Sequence, residues 1–194
     1  MLKVKPFLSS FVVAAAVCLA TSAPAQQASS EPAAAKAPAT TLSRDSRNAL
    51  NRLYGKSSTA KALGASATAI LVFPSIKKAG FIVGGQYGEG TLFKDGKPAA
   101  YYSTAGLSYG LQAGAQEFGY AMFFMNANAL GQLDKAEGFE VGVGPTVVVV
   151  DEGKAKSLTT TTAKDDIYAF IFGQKGLMAG IGVQGNKITK INPK

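Results

Sequence analysis

The sequence contains no histidine and no tryptophan, and its only cysteine is Cys18. Zinc centres are built mainly from cysteine and histidine, so no metal site is expected. A serine–histidine or cysteine–histidine catalytic pair needs the same absent residues. One cysteine cannot form a disulfide within the chain, so the fold must be held by packing, and nothing suggests a cofactor. Acidic residues are also sparse: 12 stand against 20 basic ones, a net charge of +8. Such a balance favours anionic partners, whether membrane surfaces, nucleic acid or acidic polymers.

Long apolar runs are lacking as well. The run Phe7 to Ala20 is shorter than the about 20 residues that a membrane span requires. It follows Lys3 and Lys5 and precedes Ala23-Pro24-Ala25, the small–x–small pattern of a cleavage site. This arrangement predicts a signal peptide over residues 1–25, a mature chain beginning at Gln26, and an exported, periplasmic protein. Losing Lys3 and Lys5 leaves a net charge of +6. An exported address makes nucleic acid the poorest of the anionic partners. A second reading is a lipoprotein modified at Cys18, disfavoured by the bulk of Val17 just before it.

Glycine is abundant, with 22 residues, and the chain is 47% hydrophobic and only 16% charged, which excludes a disordered protein. Residues 26–41, rich in Ala, Pro and Ser, read as a flexible spacer. Residues 42–64 read as a helix, with Leu42, Ala49, Leu50, Leu53, Ala60 and Leu63 at helical spacing. Thr41 or Ser43 is its expected cap, Gly64 its expected end, and Gly55 with Ser57 and Ser58 a break within it. Its polar side carries Arg44, Arg47, Arg52, Lys56 and Lys61 against one acid, Asp45. A basic amphipathic helix suits a membrane interface, and equally a helix packed on its own domain with its cations in water.

From Ala69 onward the texture is that of strands. Ile70–Phe73 reads as a short buried strand ended by Pro74, with Lys77 and Lys78 in the turn that follows. Lys94-Asp95-Gly96-Lys97 reads as a hairpin turn. Strands are expected over 80–93, 107–115, 118–125, 139–150, 157–162, 167–172, 177–183 and 187–191, with a short helix over 126–136. No helices alternate with these strands, so the expected class is α+β: a strongly curved, mostly antiparallel, glycine-rich sheet or barrel with a few short covering helices.

Three patterns that could carry chemistry do not. Gly84-Gly85-Gln86-Tyr87-Gly88-Glu89-Gly90 lacks the Lys-Ser/Thr of a phosphate-binding loop. Glycines four apart at 80, 84, 88 and at 106, 110, 114 resemble a membrane-helix packing motif, but Gln86, Glu89, Gln112 and Gln116 interrupt the apolar runs. Glu117, Asp134, Glu137 and Glu140 show no spacing that singles out a hydrolytic pair.

The run Phe73-Pro74-Ser75-Ile76-Lys77-Lys78-Ala79-Gly80-Phe81, continuing through Gly84–Gly90, resembles the opening motif of the SYLF-domain family. Gly110–Gln116 resembles its central motif, and Gly144-Pro145 and Lys175–Gly180 its later ones, all in order across residues 42–190. The resemblance implies a lipid-binding domain over residues 42–194. Eukaryotic members bind phosphoinositide membranes, partly through an N-terminal amphipathic helix, and some bind actin filaments. Where those members carry Trp-Ser-x-Pro, this chain has Tyr102-Ser103-Thr104-Ala105, and actin binding is not carried over.

The expectation is therefore a non-enzymatic envelope protein that binds anionic phospholipid membranes. Arg44, Arg47, Arg52, Lys56 and Lys61 would meet headgroups, Leu50 and Leu53 would insert shallowly, and Lys77 and Lys78 would form a second contact. The rival expectation is a structural or assembly protein of the envelope that binds a protein partner through its sheet. A small outer-membrane β-barrel is a further rival, disfavoured because the chain ends Ile191-Asn192-Pro193-Lys194 without a terminal aromatic.

Overall fold

The computed structural model describes residues 38–134, 139–140, 147–150, 165–176 and 186–193. The expected signal peptide, Cys18 and residues 26–37 of the spacer lie outside them, as do the Gly144-Pro145 motif, residues 177–180 of the last motif, and the expected strands over 157–162 and 177–183.

Two helices come first: α1, Ala39–Lys56, and α2, Ser58–Ser66. The break falls at Ser57, whose extended backbone stops α1 and whose side chain accepts from the Ala60 amide to cap α2. The start of α1 differs from expectation. It begins after Pro38 with no side-chain cap, and Ser43 instead donates to the Ala39 carbonyl and meets the Tyr101 hydroxyl at 2.9 Å. Gly64 does not end α2. A Cβ there would collide with the Tyr54 ring, so glycine permits α1 and α2 to approach.

The sheet has six strands among the described residues. β1, Ala69–Lys94, and β2, Lys97–Phe124, form one long antiparallel hairpin. Its turn is as expected: Asp95 and Gly96 adopt φ of 50° and 70°, the left-handed pair that a tight hairpin requires. A short helix α3, Ala127–Gly131, follows, capped by the Asn126 side chain on the Ala129 amide, and then a 3₁₀ turn over Gln132–Asp134. β3, Phe139–Glu140, β4, Val147–Val150, β5, Ile167–Gly176, and β6, Lys187–Ile191, complete the sheet. β5 pairs with one end of β2 and β6 with the other, and β3 lines β6. All pairings are antiparallel except β4 with β5. The strand path ends at β3 and β4 without closing, so the α+β class and the curved, mostly antiparallel sheet hold, and the barrel alternative does not.

Pro74 does not end a strand. Between Phe73 and Ile76, β1 advances three residues while β2 advances two, so Pro74 sits in a bulge where no ladder N–H is demanded of it. A larger irregularity at Phe81–Val83 takes up four residues of β2, Ala113 to Tyr109. There the ribbon turns and folds back on its own inner face. Gly88 comes to lie over Ile76 and Ser75: a Cβ at Gly88 would be 2.8 Å from the Ser75 carbonyl oxygen. Gly90 lies over Phe73, and a Cβ there would be 2.5 Å from the Val72 carbonyl oxygen. These glycines serve close approach of backbone to backbone.

The folded ribbon has two apolar faces. The inner one gathers Leu71, Phe73, Ile76, Leu92, Tyr102, Phe118, Tyr120, Met122 and Ile188, plugged at one end by Ala129 and Leu133. The outer one, with Ile70, Val72, Phe93, Phe123, Tyr168 and Phe170, is covered by Ala49, Leu50, Leu53, Ala60 and Leu63 of the helices.

Candidate functional site

The predicted cations of the helix layer all reach solvent: Arg44, Arg47, Arg52, Lys56 and Lys61 are exposed. Their settings differ. Arg44 pairs with Asp45 at 3.4 Å, both in water. Arg47 donates to the Gly96 carbonyl at 2.6 Å and holds its guanidinium 4.7 Å above the Phe93 ring. Arg52, Lys56 and Lys61 have no ion pair among the described residues. They are the members of the set whose charge is available without breaking an internal contact.

Leu50 and Leu53 are not where the insertion mechanism puts them. They are 7% and 4% exposed and pack in the core beneath the cations. The reason is period: residues 42, 46, 49, 50 and 53 form one helical stripe, and the outer sheet face is the apolar surface that it covers. The reading of a helix packed on its own domain describes α1.

Lys77 and Lys78 also move. Because Pro74 makes a bulge, both lie within β1, paired with Glu117 and Gln116. Successive strand residues face opposite sides. Lys77 is therefore exposed, while Lys78 points inward with Ile76 and is only 4% exposed. Lys78 cannot contribute to a flat membrane contact in this fold.

The fold adds two cations that pattern reading did not gather. Lys94 and Lys97 flank the hairpin turn, are exposed, and are brought beside α1 by the Arg47–Gly96 contact. The turn itself is legible in the sequence. Its proximity to a helix 49 residues earlier is not. Of the carboxylates considered for hydrolysis, Glu117 accepts from Ser75 and Asp134 pairs with Lys190 at 3.6 Å, while Glu137 lies outside the described residues. Among the described residues no group of histidine, cysteine, aspartate and glutamate could hold a metal ion, and no helix is long and apolar enough to cross a membrane.

What stands out is a β-rich domain with a helix layer docked on one face, its cations outward. Residues 105–193 match the model of the Ysc84 family, described as Las17-binding protein actin regulator. This is the SYLF-domain family that the chain's motifs resemble. The match begins inside β2, so the helices and the Phe73–Gly90 motif precede it. No curated protein matches the chain.

Proposed function

We propose that this is a non-enzymatic protein of the cell envelope that binds anionic phospholipid surfaces through its docked helix layer. The observation that carries the reading is the exposed set Arg44, Arg47, Arg52, Lys56 and Lys61 on helices whose apolar side is already occupied. Each cation near an anionic surface contributes on the order of 1 kcal/mol, so the helix-layer cations together give about 5 kcal/mol, a dissociation constant of roughly 0.1–1 mM. Lys94 and Lys97 extend the same surface.

Magnitudes favour adsorption over insertion. Lifting α1 off the sheet would expose Ile70, Val72, Phe123 and Tyr168, at about 1.5–3 kcal/mol for each large apolar side chain. The leucines would regain in the bilayer only what they already have in the core. Binding is therefore electrostatic and falls with salt. Co-sedimentation with liposomes tests this. Pelleting with anionic but not neutral vesicles, reversed by salt, is expected. Protein that stays in solution under every condition overturns it.

One observation favours a protein partner instead. Leu107 is 70% exposed on the outer sheet face, beside Tyr87, which is also exposed. The family description names binding to a protein. A partner held there would bind with little salt dependence and would be lost on Leu107→Asp.

A further inference from the structure

Along the inside of the folded ribbon the side chains stack in layers. Phe73 and Tyr120 stack at 6.4 Å with Gly90 pressed on Phe73. Next come Ile76 and its partner Phe118, with Gly88 against Ile76 and Thr104 paired to Gly88. One step further the inward residues Lys78, Gln116 and Gln86 are polar. Lys78 pairs with Gln116 on one half of the ribbon. On the other half Gln86 pairs with Gly106, and the Asn186 carboxamide lies over Gly106, in the space that the absent Cβ leaves, beside Gln86. Since Gly90 faces Phe73 and Gly88 faces Ile76, the same progression sets Gln86 opposite Lys78.

Lys78, Gln86, Gln116 and Asn186 are each more than nine-tenths buried. Among the described residues, Gln86 Nε2, Gln116 Oε1 and Asn186 Nδ2 have no hydrogen-bond partner, and Lys78 has no ion pair. Leaving such groups unpaired costs about 1–3 kcal/mol each, so three carboxamides and an ammonium in one layer form an expensive core unless something binds them. On three of the four strand runs the next inward position is a glycine, Gly80, Gly84 or Gly114, which has no side chain to cover the layer.

We propose that this layer is a binding site for an oxyanion, a phosphate-type group with Lys78 supplying the charge and Gln86, Gln116 and Asn186 the hydrogen bonds. One ammonium suits one negative charge, and carboxamides, which present N–H or C=O by rotation, suit its remaining oxygens. The anion is either free or the headgroup of a lipid. The site is separate from the cations of the helix layer and does not depend on them.

Calorimetric titration of the purified protein with inorganic phosphate, and separately with a short-chain phosphatidylglycerol below its micelle concentration, tests the site. Binding of either probe is expected, weakened about tenfold or more by Lys78→Met and by Gln86→Met. The loss caused by Lys78→Met should be the same fold-change in an Arg52→Glu/Lys56→Glu/Lys61→Glu background as in the wild-type background. Phosphate binding points to a free anion, and binding of the lipid alone to a headgroup. Should Lys78→Met misfold, Gln86→Met judges the proposal alone. No binding of either probe, or undiminished binding in a folded Lys78→Met or Gln86→Met, overturns it.

Discussion

Arg47 and Phe93 tie the helix layer to the tip of the long hairpin: the guanidinium lies 4.7 Å from the ring centroid while donating to Gly96 at 2.6 Å. Phe93 is itself buried among Leu50, Leu53 and the outer sheet face, so this contact seals one end of that core. Arg47→Ala is expected to lower stability by about 1 kcal/mol, given its exposed setting. Arg47→Lys keeps the charge but loses the flat stacking group, and should fall between. Urea denaturation of the three proteins measures this.

The burial of Leu53 makes a different demand. Leu53→Ala should destabilise the fold by about 2–5 kcal/mol, as a cavity in a packed core does. Vesicle binding by the fraction that stays folded should be unchanged. An inserting leucine would give the reverse: normal stability with weakened binding.

Glycine positions separate close approach from simple flexibility. At Gly90 an added Cβ meets the Val72 carbonyl oxygen at 2.5 Å, whereas at Gly85 nothing lies within 4 Å. Gly90→Ala should therefore cost about 1–3 kcal/mol, and Gly85→Ala should be neutral or slightly stabilising, at most about 1 kcal/mol. Thermal unfolding of both variants checks the pair.

Alkaline pH should unfold the protein through its tyrosines. Burial, with a contribution from Asp134, pushes Tyr102 up to about 12 from its ordinary 10.0. Tyr87, although partly exposed, is brought to about 12 as well, by partial desolvation and then the hydrogen bond to Glu89. Burial alone raises Tyr54 and Tyr120. A raised phenol keeps its proton in the fold after the unfolded chain has lost it. Stability is thus complete below pH 10 and declines as pH rises from 10 toward 12. Denaturation midpoints measured across that window, with tyrosinate absorbance followed in parallel, should fall together with delayed ionisation. Midpoints flat through the window would contradict the burial of these hydroxyls.

Much of this fold is readable from local pattern. The Asp95-Gly96 turn, the Ser57 break between α1 and α2, and strand β6 follow from residues within a few positions of one another. Pro74 misleads because a missing N–H ends a strand only where the ladder requires one, and a bulge removes the requirement. The error propagates: with Pro74 as a terminator, Lys77 and Lys78 form an exposed turn. With Pro74 as a bulge, Lys78 continues the inward register of Ile76. Likewise, the 42–53 stripe is visible in sequence, but whether it meets lipid or sheet depends on the outer face of residues 70, 72, 123 and 170, which lie far away along the chain. The interior polar layer is the least legible feature. It exists only because Gly88 and Gly90 let the ribbon fold onto residues 72–76.

The account rests above all on surface cations acting from a helix layer that stays docked. The most direct test is co-sedimentation of wild type and the Arg52→Glu/Lys56→Glu/Lys61→Glu variant with anionic vesicles at low and high salt, with circular dichroism confirming the fold. The account predicts that wild type pellets at low salt and is released by high salt, while the folded variant stays in the supernatant at both. Wild-type binding that survives high salt, or a variant that pellets as well as wild type, would contradict it.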